Sequence, residues 1–357
     1  MKKLIIFTIV WLTSWVLFTQ ECNDLGESVM PSRSFEFRSP QVWNVPISIK
    51  LVQNDLGYSE TTQEQIYEQI EIFNANSAYV NLVVVEYIEI QNTNWFVLND
   101  VVACADQFQL RDAYTNPNTL NSFIVGTLKS CSSGSNICGE ARYPSNNQYN
   151  WVNFMSDSCV NNGSTYPHEW GHNFNNRHTH SSSELIDRSN CTTAGDDYCD
   201  TPASPTLSTG SVVPTSGDNP CTYVGSATDG NGWRYRDAES YGFDAPDPTN
   251  FMGYGWKDCR THFTTEQQLD HEATAAFYCQ TLNCNSLYTV QQPIQKFKVT
   301  PNPFNNYITL SSKVEYKLYD ITGKLLISNY NNTIRTSNLP EGFYILKIGQ
   351  DVYKLIK

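Results

Sequence analysis

Apolar and polar positions follow two different periods along the first half of the chain. Val45, Ile47, Ile49 and Leu51 fall at every second position of residues 42–52, which predicts a strand. Pro46 inside that run implies an edge position or a late start to the pairing. Thr61-Thr62-Gln63-Glu64 has the spacing of a capping box at a helix start, and Ile66, Ile70 and Phe73 then share one helical face. Residues 79–90 form a run dense in Val and Ile, and residues 121–126 and 151–155 are shorter strand candidates. The order strand, helix, strands predicts an α+β unit with a twisted, mixed sheet. From 179 to 249 periodicity fades, and Gly, Pro, Ser, Thr and Asp take over. Cys191, Cys199 and Cys221 inside this stretch point to an irregular subdomain held by external constraints rather than to disorder. Thr264 and Thr265 open a further helix running to about Cys279. After a polar linker, short strands at 307–310, 314–319, 325–328, 343–348 and 352–356 predict a small all-β sandwich.

Charge sharpens this division. The 357 residues carry a formal net charge of −13, which argues against a nucleic-acid partner, since phosphate binding needs a basic surface. Residues 295–357 hold 9 Lys and Arg against 4 Asp and Glu, a net of +5, so the rest carries −18. Such asymmetry implies two units with different surfaces, and the acidic larger part hints at basic substrates. Lys2 and Lys3 precede an apolar run from Leu4 to Phe18, which reads as a signal peptide over residues 1–20 and leaves no stable transmembrane anchor. An exported chain with eleven cysteines is expected to use disulfides. Setting Cys22 aside leaves ten, a number that can pair fully.

Four of the six histidines fall between residues 168 and 180. His168 and His172 stand at i and i+4, on one face of a helix, with Glu169 flanking the same site. Neutral imidazoles suit zinc, and a catalytic zinc takes three protein ligands plus an open position for water. A continued helix carries His178 away from the metal, so the chain must turn back. Asn175 is placed for that turn, because Asn tolerates the left-handed conformation at a helix C-terminus. His180 competes for the third position, and the motif spacing favours His178. With zinc polarising a carbonyl and activating water, Glu169 is the expected general base.

These residues resemble the metzincin metallopeptidases, whose motif H-E-x-x-H-x-x-G-x-x-H precedes a Met-turn. Here Asn175 stands at the glycine position, and Asn250-Phe251-Met252-Gly253-Tyr254 is the matching turn. Within that clan the chain is most similar to the pappalysin (cytophagalysin) family. Asp197-Tyr198-Cys199-Asp200-Thr201-Pro202 and the run from Cys259 through Phe263-Thr264-Thr265-Glu266-Gln267 carry that likeness. The resemblance covers roughly residues 42–279. It implies a metzincin-like fold with an active-site helix and an irregular lower subdomain, a secreted endopeptidase acting on protein or peptide substrates, and Met252 as the apolar floor beneath the zinc. It also implies Tyr254 stabilising the oxyanion, and structural calcium for which Asp200 and Thr201 are the candidates.

The C-terminal part resembles the type IX secretion sorting domain through three ordered matches. These are Val299-Thr300-Pro301-Asn302-Pro303-Phe304; then Leu318-Tyr319-Asp320-Ile321-Thr322-Gly323-Lys324 with Leu339-Pro340-Glu341-Gly342-Phe343-Tyr344; and the basic end Lys354-Leu355-Ile356-Lys357. That likeness implies Sec export followed by the type IX secretion machinery. The expected organisation is a signal peptide at 1–20, a short pro-segment or linker at 21–40, a metallopeptidase domain at 41–282, a linker at 283–294 and a sorting domain at 295–357. Three alternatives stand beside this reading. One is a non-catalytic zinc-binding adhesin on the same scaffold. Another is a thermolysin-like site with Glu184 as third ligand. The third is latency through Cys22 or Asp24 binding the zinc.

Overall fold

The computed structural model describes residues 23–25, 28–30, 41–98, 105–131, 133–284, 299–348 and 351–357. The expected signal peptide, Cys22, Cys104 and most of the expected linker lie outside them, as does the side chain of Asp24. The chain divides into two compact units, Met1–Leu287 and Tyr288–Lys357. Among the described residues no helix is long and apolar enough to cross a membrane.

The strands of the first unit are β1 (Asn23–Leu25), β2 (Trp43–Gln53), β3 (Val80–Gln91), β4 (Leu120–Val125), β5 (Leu128–Lys129), β6 (Asn136–Ile137), β7 (Gly139–Arg142) and β8 (Val152–Ser156). Its helices are α1 (Gln63–Asn76), α2 (Thr93–Phe96), α3 (Ala105–Tyr114), α4 (Asp157–Val160), α5 (Thr165–Asn173) and α6 (Thr265–Tyr278). Six strands form a mixed sheet in the order β1-β7-β8-β4-β2-β3, with β7 antiparallel to β8 and every other neighbouring pair parallel. On one face Val45, Ile47, Ile49, Leu51, Leu120 and Ile124 pack with Ile66, Ile70 and Phe73 of α1, Tyr166 and Trp170 of α5, and Ala275 and Tyr278 of α6. On the other face Val52, Ile90, Phe123, Val125, Val152 and Phe154 pack with Leu98 and with Leu110 of α3. The alternation of side chains along β4 therefore feeds two cores at once.

Two local expectations need correction, and the alternatives left open at Pro46 are resolved. Strand β2 is internal, so of an edge position and a late start to the pairing the second holds. Pro46 is accommodated because it pairs only with Val83 of β3, and pairing with β4 begins one residue later at Ile47. The capping box is one residue later than the spacing implied. Thr62 accepts from the Gln65 N–H, and the Gln65 side chain accepts from the Thr62 N–H. Thr61 instead donates its hydroxyl to the Asp157 carbonyl, tying the helix start to α4. The C-terminal unit is all-β but has one sheet, not two. Strands β9 (Val299–Thr300), β10 (Tyr307–Asp320), β11 (Leu325–Arg335), β12 (Phe343–Ile348) and β13 (Asp351–Ile356) are all antiparallel, in the order β11-β10-β12-β13 with β9 on β10. Residues 307–310 and 314–319 join into the single strand β10, whose pairing with β11 shifts register between Thr309 and Val314. The irregularity there stands in for the expected turn.

Residues 179–249 contain one 3₁₀ segment, Tyr235–Tyr241, and two isolated bridges within the stretch. They have a small core of their own, with Ile186, Leu207, Val212, Tyr223, Tyr235 and Ala238. Cys191–Cys199 closes a short loop, and Cys221–Cys259 ties the stretch to the segment before α6. Cys138–Cys159 and Cys279–Cys284 are also joined, and Cys131 is disulfide-bonded. Replacing Cys221 and Cys259 together by Ser is expected to cost about 4 kcal/mol, from the entropy released on opening a loop of that length. Urea unfolding followed by circular dichroism checks this.

Candidate metal centre

Helix α5 carries the first half of the motif, and its burial is complete along all nine residues. Asn162 caps its start, its Oδ1 accepting from the Ser164 and Thr165 N–H groups. Pro167 sits in the first turn, where its missing N–H is not needed. Tyr166, Trp170 and Phe174, spaced four apart, face the sheet core. The Tyr166 hydroxyl donates to Ser122, and Asn173 donates to the carbonyls of Arg142 and Val152. The helix is thereby fixed against β7 and β8, which leaves its opposite face for His168, Glu169 and His172.

The helix ends where the sequence requires it to. Asn175 has φ of 75°, the left-handed conformation, and the Asn176 N–H returns to the Gly171 carbonyl. Asn175 also donates to Asp270 of α6 at 2.8 Å, a bond that glycine lacks the atoms to make. The turn brings His178 back. The three Nε2 atoms of His168, His172 and His178 lie 3.1–3.2 Å from one another. Among the described residues these three form the one group of His, Cys, Asp or Glu side chains placed to share an ion.

The donor set fits a metal such as zinc. Tetrahedral zinc with Zn–N of about 2.0–2.1 Å places its ligand nitrogens roughly 3.3 Å apart, close to the spacing seen. His168 donates its Nδ1–H to the Phe251 carbonyl at 2.6 Å, and His172 donates its own to the Asn176 carbonyl at 2.8 Å. Those bonds fix the tautomer, so both Nε2 lone pairs face the centre. Burial, and then the neighbouring His172, hold His168 and His178 well below the ordinary histidine range, which keeps both rings neutral and able to ligate. His180 does not join the triad. Its ring stacks on His178 with centroids 5.1 Å apart and lies 4.6 Å from the Tyr254 ring.

Glu169 is fully buried and lies against β7. A Cβ on Gly139 would sit 2.3 Å from its Oε1, so only glycine lets the carboxylate occupy that place. The turn holding Met252 packs against α5. Asn250 Oδ1 accepts from the Met252 N–H, and Asn250 donates to Gln267 of α6. A Cβ on Gly171 would lie 2.4 Å from Met252 Sδ, so helix and turn are in closest approach there. The Tyr254 ring lies 4.8 Å from His178 and 6.1 Å from His168. Asp200 is elsewhere: its carboxylate accepts from the Glu266 N–H at the first turn of α6. Thr201 is buried next to it in sequence, and among the described residues Asp200 joins no group of His, Cys, Asp or Glu side chains placed to share an ion. Glu184 is fully buried beside Gly195 and ion-pairs with Arg188 at 3.3 Å, so it is no third ligand of this site. Burial raises its pKa to about 8, against the pull of Arg188.

Comparison with known proteins decides the C-terminal unit. Residues 298–357 match the secretion system C-terminal sorting domain. This stretch is a type IX sorting tail. It indicates export or display at the cell surface, with the secretion machinery as its partner. No metzincin or pappalysin family is matched, and no curated protein matches the chain. Solved structures also match, two of them as follows. One is a chaperone-substrate complex, at 18% identity over 40% of this chain and 28% of that one, with a TM-score of 0.28. The other is catalytically inactive OgpA from Akkermansia muciniphila bound to an O-glycopeptide (glycodrosocin) substrate, at 10% identity over 92% of this chain and 95% of that one, with a TM-score of 0.27. At such scores neither likeness carries an argument.

Reading the motif alone misses the groups that aim it. Asn176 is fully buried. Its carbonyl orients His172, its amide donates to Tyr198 and to the Gln267 carbonyl, and its Oδ1 accepts from His271. His271 in turn accepts from Ser77, and burial alone pulls its pKa down to about 3. A polar residue directly after the turn residue is the signal that could have found Asn176. The carbonyl of Phe251 left no signal, because any residue supplies one.

Two predictions follow from this geometry. Gly171→Ala drives a methyl into Met252 and is expected to lower stability by about 1–3 kcal/mol, read by chemical denaturation of metal-free protein. His262 pairs with Asp247 at 3.2 Å and holds the same turn, since its carbonyl accepts from the Phe251 N–H. The bond from Asp247 raises the His262 pKa above 6.5. Burial pushes the Asp247 carboxyl up, yet hydrogen bonds from His262 and Thr249 hold it below 3.8. The His262 contribution is full below pH 6.5 and is lost as pH rises through its raised pKa, whereas that of Asp247 is full above 3.8 and is lost as pH falls through its depressed one. NMR titration of His262 should show the raised pKa, and Asp247→Asn should abolish the rise.

Proposed function

We propose that this protein is a secreted zinc-dependent endopeptidase of the metzincin type, related to the pappalysins, that hydrolyses peptide bonds. The observation that carries the reading is the buried triad of Nε2 atoms with Glu169 next in sequence to one of its members. His168, His172 and His178 would hold the ion. Bound zinc supplies Lewis acidity and lowers the pKa of a coordinated water. Glu169 accepts the proton of the attacking water and delivers it to the leaving amine. Gly139 gives its carboxylate room, and the strand that bears Gly139 keeps it from turning away. Tyr254, edge-on to His178 and tilted beside His168, donates its hydroxyl to the developing oxyanion. Met252 contributes apolar packing under the ligands. A sorting tail agrees with a protease that works outside the cell, after a Sec signal peptide has been removed.

The zinc-loaded full chain should hydrolyse an unstructured protein substrate. Glu169→Ala should lower that rate by about 10²- to 10⁴-fold, the usual worth of a general base, while retaining zinc. His178→Ala should lose both zinc and activity. Assaying hydrolysis alongside metal content separates the two roles. Wild-type protein that binds zinc and cleaves nothing is the outcome favouring a binding protein on this scaffold. Undiminished hydrolysis by Glu169→Ala sinks the mechanism.

A further inference from the structure

A pocket of about 310 Å³ lies beside the first turn of α5, lined among others by Asn162, Gly163, Phe251, Lys257, Asp258 and Arg260. Two connections link it to the triad. Phe251 lines the pocket and also accepts the His168 Nδ1–H at 2.6 Å through its carbonyl. Gly163 precedes Ser164, whose carbonyl accepts from the His168 N–H, so the lining residue stands five residues before the ligand. At about 1.5 Å per residue that is about 7.5 Å along the axis. An extended peptide advances about 3.3 Å per residue, so a side chain in this pocket belongs within about three residues of a bond held at the triad.

The pocket's charge is unlike that of the chain around it. Lys257 and Arg260 bring two cations. Arg260 is 3% exposed, and its guanidinium donates to the Gly253 carbonyl next to Met252. Lys257 is half-buried, with its ammonium 2.7 Å from the Cys138 sulfur, immediately before the Gly139 that adjoins Glu169. Asp258 is the one anion of the lining, and its carboxylate already accepts from the Thr215 hydroxyl at 2.5 Å. The surrounding residues 1–294 carry −18. A basic pocket in an acidic protein needs a local reason. Guanidinium and ammonium groups partly withdrawn from water pair most strongly with a carboxylate.

We propose that this pocket is a specificity subsite that takes an Asp or Glu side chain of the substrate, with Lys257 as its principal determinant. The proposal rests on the endopeptidase reading above. It opposes what the acidity of the whole catalytic region implies, because recognition is set by the few charges in contact and net charge sets only the long-range field.

Cleavage profiling of the zinc-loaded full chain on a peptide library tests it. Wild-type protein should enrich Asp or Glu at one fixed position within about three residues of the cleaved bond. Lys257→Glu should lower kcat/KM for such a peptide by about 10- to 100-fold, the worth of one charge-assisted hydrogen bond, and turn the preference towards Lys or Arg at that position. Lys257→Arg should keep the acidic preference, and zinc content should be equal in all three. Hydrolysis without an acidic preference overturns the proposal, as does a preference that Lys257→Glu leaves in place. If nothing is cleaved, the endopeptidase reading fails and the subsite is judged by binding. Titration of zinc-loaded Glu169→Ala with a Glu-containing peptide and its Lys counterpart should favour the acidic one, and equal affinity overturns the subsite.

Discussion

Three imidazole nitrogens held 3.1–3.2 Å apart in a buried space set the terms for the rest of the first unit. At least two of them present lone pairs to each other, because His168 and His172 spend their ring N–H groups on carbonyls. Such an arrangement repels itself unless a cation sits between. It persists only if the surroundings hold the rings from behind. For His168 and His172 they do so with backbone: one carbonyl from the turn at Phe251 and one from Asn176 just past the helix end.

That requirement explains why distant elements converge on a helix of nine residues. The turn of residues 250–253 gives its carbonyl to His168 and its methionine to the gap over Gly171. Helix α6 supports the turn through Gln267 and Asn250, and supports the helix end through Asp270 and Asn175. Asn176 ties both to Tyr198 in the irregular segment and to His271. The irregular segment contains little regular structure, and disulfides replace the missing ladder hydrogen bonds as its constraint. Its Tyr198 reaches the site because Cys199 is bonded to Cys191 and its N–H is held by Glu266.

The second unit follows a different logic. It is a basic antiparallel sheet with its own core of Phe304, Ile308, Leu310, Leu318, Ile334, Tyr344 and Leu346. Lys357 donates to the carbonyls of Thr336 and Leu339, so even the final side chain is folded in.

Much of this was legible in the sequence because it rests on local periods and spacings. The i, i+4 pair His168 and His172, the left-handed Asn175, the return of His178, the strand of alternating Val45 to Leu51 and the tail all depend on chemistry within a few residues. The errors were local as well. Thr61 and Thr62 offer the same cap, and only the buried bond from Thr61 to Asp157 decided between them. Pro46 left an edge position and a late start open, and the staggered pairing with β4 decided for the second. Tertiary structure alone decided what lies behind the histidines and beside them. A carbonyl from Phe251 for His168, the glycine gaps at 139 and 171, and the meeting of Asn162 and Gly163 with Lys257 and Arg260 in one pocket join residues far apart in the chain. No periodicity encodes such contacts. They arise when buried polar groups must find partners and close-packed helices must find room, and the folded chain alone satisfies both.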